Sequence, residues 1–179
     1  MSSVLDEVRR QLGPDTIQQL SGALGADPAT TSNAISLALP ALLGGLAHNA
    51  SQPEGARSLD NALNQHDGSI LDNLGGMLGG GSGAGGGILG GIGGAILGHV
   101  FGERRGSVEE GVGKSSGLDA AQVAQLMAIL APIVMGVLGR MKQTKGLDAN
   151  RLPEVLNDNN DSSGGVLGSI LGGIFGQKN

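Results

Sequence analysis

Asp119-Ala-Ala-Gln-Val-Ala-Gln-Leu-Met-Ala-Ile-Leu-Ala-Pro-Ile-Val-Met-Gly-Val-Leu-Gly-Arg-Met141 is the stretch on which the fold turns. Asp119 followed by Gln122 reads as a helix N-cap, where a side-chain oxygen serves one of the unpaired first-turn amides. Behind it Val123, Leu126, Met127, Leu130, Ile133, Val134, Val137, Leu138 and Met141 recur at helical spacing and cover most of the circumference. A helix that is apolar all round is either buried at the centre of a protein or placed in a membrane.

Ninety-two residues earlier the chain carries a weaker copy of the same pattern. Gly25-Ala26-Asp27 stands over Gly117-Leu118-Asp119, Pro40 over Pro132, Gly44 over Gly136 and Leu46 over Leu138. Asp27-Pro28 is again an N-cap followed by proline at the first helical position. Ile35, Leu39, Leu42, Leu43 and Leu46 form the apolar stripe behind it. With one residue inserted, Ala62-Leu63-Asn64 meets Val155-Leu156-Asn157. Elements repeated in the same order point to duplication. Pro40 and Pro132 each remove a hydrogen bond in mid-helix and crowd the carbonyl four residues back, at Ser36 and Ala128. A kink, or a break into two helices, is expected at both. Gly44 and Gly136 are placed to let another backbone approach. Ser107 with Glu110 has the spacing of a capping box.

Charge divides the chain into zones. Residues 1–74 hold eight acids and three bases, residues 103–161 eight acids and seven bases, and the thirty residues from 73 to 102 hold no formal charge. Glycine occupies 35 of 179 positions, and each one inside a helix costs roughly 0.5–1 kcal/mol against alanine. Gly79 to Gly87 offers almost nothing to bury and reads as a loop. From Ile88 the pattern changes. Ile88, Ile92, Ile96 and Val100 recur every four residues beside Leu89, Leu97 and Phe101, with Gly86, Gly90, Gly94, Gly98 and Gly102 in a parallel row. The C-terminal segment repeats the device with Gly164, Gly168, Gly172 and Gly176 beside Val166, Ile170, Ile174 and Phe175. On a helix this makes a smooth groove flanked by an aliphatic ridge, the arrangement that lets two helices come close.

The expected fold class is therefore all-α, a duplicated helical module with kinked central helices and glycine-rich packing helices. The expected divisions are a first module at 1–78, a loop at 79–87, a glycine-grooved helix at 88–102, a second module at 103–161 and a glycine-grooved C-terminal helix at 162–179. Strand signals are weak throughout.

Known chemistries find little support. The chain has no cysteine, which excludes disulfides and thiolate metal sites. His48, His66 and His99 stand apart with no metal-binding spacing. The glycine tracts lack the lysine of a phosphate-binding loop and the strand before it. Asn157-Asp-Asn-Asn-Asp161 lacks the glycine and distal glutamate of a calcium loop. A net charge of −5 opposes capture of nucleic acid, whose binding is dominated by lysine and arginine on phosphates. Met1 to Leu12 carries four charges and no apolar run of a signal peptide, so a cytoplasmic location is expected.

Ile96-Leu-Gly-His-Val-Phe-Gly102, Gly117-Leu118 and Leu130-Ala-Pro-Ile-Val-Met-Gly136, as an ordered set, resemble an uncharacterised bacterial domain-of-unknown-function family that includes YidB-like proteins. The resemblance covers most of the chain, with Gly75 to Ala84 the least constrained part. It implies a small all-helical bacterial protein and carries over no catalytic residue. YidB-like members are shorter than this chain.

No cofactor, metal or small-molecule substrate is expected, and no enzyme activity. The function to expect is a structural or interaction protein forming homo-oligomers through Gly90, Gly94, Gly98, Gly102, Gly168, Gly172 and Gly176, with Ile92, Ile96, Val100, Phe101 and Phe175 beside them. The alternative is a peripheral membrane or envelope protein using the same helices on a lipid surface. A spanning helix needs about 20 apolar residues, and Ile88 to Phe101 falls short.

Overall fold

The computed structural model describes residues 4–65, 69–72, 76, 84–146 and 155–156. Among them the regular structure is entirely helical. In chain order the helices are α1 (Val4–Gln11), α2 (Pro14–Leu24), α3 (Pro28–Ala50), α4 (Pro53–Gln65), α5 (Ser69–Asp72), α6 (Ala84–Phe101), α7 (Arg105–Ser116) and α8 (Ala120–Lys145), with a 3₁₀ turn at Gly102–Arg104 between α6 and α7.

The helix boundaries follow from caps that the sequence spells out. Asp27 accepts hydrogen bonds from the amides of Ala29 at 3.1 Å and Thr30 at 3.0 Å, and Pro28 opens α3. Asp119 accepts from the Gln122 amide at 2.8 Å while the Gln122 side chain accepts from the Asp119 amide at 3.1 Å. This reciprocal pair serves two first-turn amides at once. Gly25, Gly117 and Gly146 end α2, α7 and α8 with φ of 65°, 87° and 61°, a left-handed conformation that costs other residues roughly 1–2 kcal/mol.

α8 is the axis of the molecule. Among the described residues it packs against each of the seven other helices named above, and every residue from Leu126 to Gly139 is buried. Of the two settings open to an all-apolar helix, the chain itself supplies the burial. α3 and α8 are both long and apolar enough to cross a membrane, but 78% of the α8 window is already buried against the protein. Ile35, Leu39, Leu42, Leu43 and Leu46 of α3 join α8 in the core.

Several positions paired by the 92-residue offset, or by 93 after the inserted residue, share their local structure. Asp27 and Asp119 are both N-caps, Gly25 and Gly117 both left-handed, and Pro40 and Pro132 both buried inside long helices. Leu63 and Leu156 are both buried, at 1% and 0% exposure.

Of the two outcomes expected at Pro40 and Pro132, a break does not occur: α3 and α8 run unbroken through both prolines. The flanking turns are held in tertiary packing that outweighs one missing hydrogen bond. Three other expectations need correction. Ser107 caps nothing, because α7 begins at Arg105 straight from the 3₁₀ turn and Ser107 already lies inside it. A cap needs extended backbone. α6 begins at Ala84, so the last four residues of the expected loop are helical. Gly102, finally, is not part of the helix row. α6 stops at Phe101, and Gly102 turns the chain with φ of 52°.

Polar contacts pin the outer helices to this axis. Lys142 donates to Asp60 and, at 2.9 Å, to Asn64 of α4, and Arg140 pairs with Asp72 of α5 at 2.8 Å. The Gln122 side chain donates to the Leu24 carbonyl at 2.9 Å, which ties the start of α8 to the end of α2.

Candidate interaction surface

α6 is the element in which the glycine pattern takes physical form. It lies along α8, and its last turn reaches α3. Its inward side is set by one residue outside the four-residue row, Gly93. A Cβ placed on Gly93 would collide with the Ala128 backbone of α8, 2.5 Å from the carbonyl carbon and closer still to the oxygen. Ala128 is the residue four before Pro132, and proline has no N–H to give its carbonyl. Gly93 therefore brings its Cα hydrogen onto a carbonyl that lacks its usual helical donor, a weak C–H···O contact worth about 0.5–1 kcal/mol. The same device recurs where α4 begins. Pro53 leaves the Asn49 carbonyl without its i+4 donor, and Gly55 presses on that carbonyl. The Gln52 amide also reaches it, at 3.2 Å.

From Gly93 the inward side continues through Leu97, which is fully buried, to Phe101. The Phe101 ring sits over Gly45 of α3, where an added Cβ would lie 2.5 Å from Cε1 and 2.9 Å from the Val100 Cγ1. Gly45, the neighbour of Gly44, thus receives a close approach from the Phe101 and Val100 side chains. The Asn49 side chain donates to the His99 carbonyl at 3.5 Å and closes the end of α6.

The outward side is different. Gly91 and Gly98 are exposed and Gly94 is half-buried, and a Cβ on any of the three would meet open space. Ala95 and His99 complete this surface. Beside it lies an open apolar cavity of about 220 Å³, walled by Ile96 and Val100 of α6, Leu46 of α3, Leu59 and Ala62 of α4, and Met135 of α8. Small-molecule sites usually run to about 300–1,000 Å³ with convergent polar groups. This cavity is smaller and almost wholly apolar.

The expected site residues divide accordingly. Gly94 and Gly98 do form a row, but it points away from the protein, and Gly90 belongs to the same helix. Ile96, Val100 and Phe101 pack partly buried against the core, and Ile92 is half-buried. Gly168, Gly172, Gly176 and Phe175 lie outside the described residues. So do His66, Asn157 to Asp161 and the first part of the expected loop. Gly93, Gly45 and Gly55 were missed. A proline four residues after a carbonyl was the available signal for two of them.

Among the described residues no three His, Asp or Glu side chains are grouped so as to hold a metal ion. His48 and His99 are both exposed at helix ends. The titratable groups that respond to their surroundings are surface caps and pairs. Hydrogen bonds from the Thr30 side chain and amide hold Asp27 below the ordinary carboxylate range, and Lys114 does the same for Glu110.

Residues 6–141 match a family model described as a bacterial protein of unknown function, DUF937. No curated protein and no solved structure matches the chain.

Proposed function

The chain belongs to this bacterial family of unknown function, and on the geometry of α6 we propose that it is a non-enzymatic interaction protein that self-associates through the outward face of that helix. One observation carries the reading. Gly91, Gly94 and Gly98 stand in a helix where the chain leaves room for a side chain at each. Alanine at such positions would stabilise the folded chain by roughly 0.5–1 kcal/mol per site. Packing among the described residues therefore gives no reason for glycine there, whereas the close approach of a second helix does. Two copies of one module, each with its own glycine-grooved segment, would double the surface available for pairing.

Light scattering on size-fractionated protein tests the reading. Assemblies larger than the monomer are expected at tens of micromolar, and a strict monomer throughout that range counts against it. Flotation with anionic and neutral liposomes separates the alternative. Protein that stays at the bottom of the gradient is expected, and protein that floats makes a lipid surface the partner.

A further inference from the structure

The outward face of α6 carries a single ionisable side chain, His99. Residues four apart on a helix lie about 40° apart around its axis, so Gly91, Ala95 and His99 form one row, exposed throughout, and Gly94 and Gly98 form the row beside it. The other members of both rows carry a methyl group or no side chain at all. A second helix brought down on Gly94 and Gly98 also covers Ala95 and His99, the residues that follow each glycine. Resting on the self-association put forward above, we propose that His99 makes that assembly pH-dependent: copies pair while the imidazole is neutral and separate when it takes up a proton.

The sign follows from the surroundings of the ring. In the single chain His99 is exposed, and water solvates either protonation state. Between two copies the ring gives up that water for glycine, alanine and aliphatic groups, and loss of solvent disfavours the charged form. Histidine changes charge between pH 5 and 8, so acidification sets this cost against pairing. Little nearby would offset it. α6 packs against α3, α7, α8 and the 3₁₀ turn, and meets α4 across the cavity. Asn49 and Ser58, which share the cavity wall with His99, are uncharged. The last turn of α3 brings His48, itself exposed. α4 brings Glu54 and Arg57, and the 3₁₀ turn Glu103 and Arg104, one acid and one base from each. Elsewhere on these elements the charges are engaged: Arg105 with Glu109, Lys114 with Glu110, Arg140 with Asp72, Lys142 with Asp60, and Asp27 and Asp119 as helix caps. Among the described residues no acid forms an ion pair with His99.

Light scattering across a dilution series of the full-length chain, at about pH 7.5 and about pH 5.5, tests this, because carboxylates stay largely ionised over that range and histidines do not. The side chains that titrate are then His48, His66 and His99. The dissociation constant of a wild-type dimer is expected to rise by about 10- to 100-fold on acidification, the upper figure being about tenfold for each of two excluded protons. A variant carrying His48→Gln and His66→Gln should keep the rise, and His99→Gln should abolish it. Far-ultraviolet circular dichroism should show the same helical signal at both pH values. Assembly of equal strength at the two pH values, tighter assembly in acid, a rise that survives His99→Gln, or separation that accompanies loss of helix would each overturn the inference. A chain that stays monomeric even at the higher pH overturns the pairing itself and this inference with it, whereas pH-independent assembly leaves the pairing standing.

Discussion

Gly93 of α6 rests on the backbone carbonyl of Ala128, the carbonyl in α8 that Pro132 leaves without its i+4 amide. The proline and the glycine are thirty-nine positions apart in sequence, yet each explains the other. Proline exposes an acceptor in the central helix, and only a residue without a side chain can approach it. Replacing Gly93 with alanine should therefore force α6 away from α8 and cost about 2–3 kcal/mol, the upper part of the roughly 1–3 kcal/mol range of overpacking in a rigid core. Chemical denaturation would show this as a lower midpoint at unchanged slope.

The neighbouring glycine should behave in the opposite way. Gly94→Ala meets open space and should raise monomer stability by roughly 0.5–1 kcal/mol. Two adjacent glycines with shifts of opposite sign would establish which side of α6 faces the core. Equal destabilisation at both would contradict the orientation described.

Phe101 provides a second anchor. Its ring lies on Gly45 at the junction of α6 and α3, and aromatic rings bury large areas. Phe101→Ala should lower stability by about 2 kcal/mol, below the 3–5 kcal/mol of a fully buried ring because Phe101 is only partly buried. Hydrogen exchange should show faster opening of α6 than of α8 in that variant.

Asp27 gives a pH dependence with a definite sign. Thr30 holds its carboxyl below the ordinary range in the folded chain, so the folded state binds this proton less readily than the unfolded one. The contribution is present above the unfolded pKa of about 4 and is lost as pH falls through the lower folded value. Asp27→Asn keeps a capping side chain but cannot titrate. It should flatten the acid limb of the stability profile, measured by thermal unfolding between neutral pH and about pH 3.

Much of this architecture is legible in the amino-acid sequence. The all-round apolarity of 123–141 announces a central helix, because no exposed helix tolerates that pattern. Asp27-Pro28 and Asp119 with Gln122 announce their caps, because cap geometry depends on a few neighbouring residues. The seat of α6 is not legible in the same way. Its four-residue glycine row suggests a packing groove, but only tertiary structure shows that the row faces outward and that Gly93, one position off it, faces α8. Ser107 misleads for a related reason. The spacing of a capping box is present, but the chain is already helical when it arrives there.

The proposed self-association through the outward face of α6 is tested most directly by sedimentation equilibrium across a concentration series. Wild-type protein is compared with a variant carrying Gly94→Leu and Gly98→Leu, positions where an added Cβ meets open space. Wild type is predicted to form assemblies, while the variant stays folded and sediments as a monomer. A variant that assembles as wild type does would contradict the role given to this face.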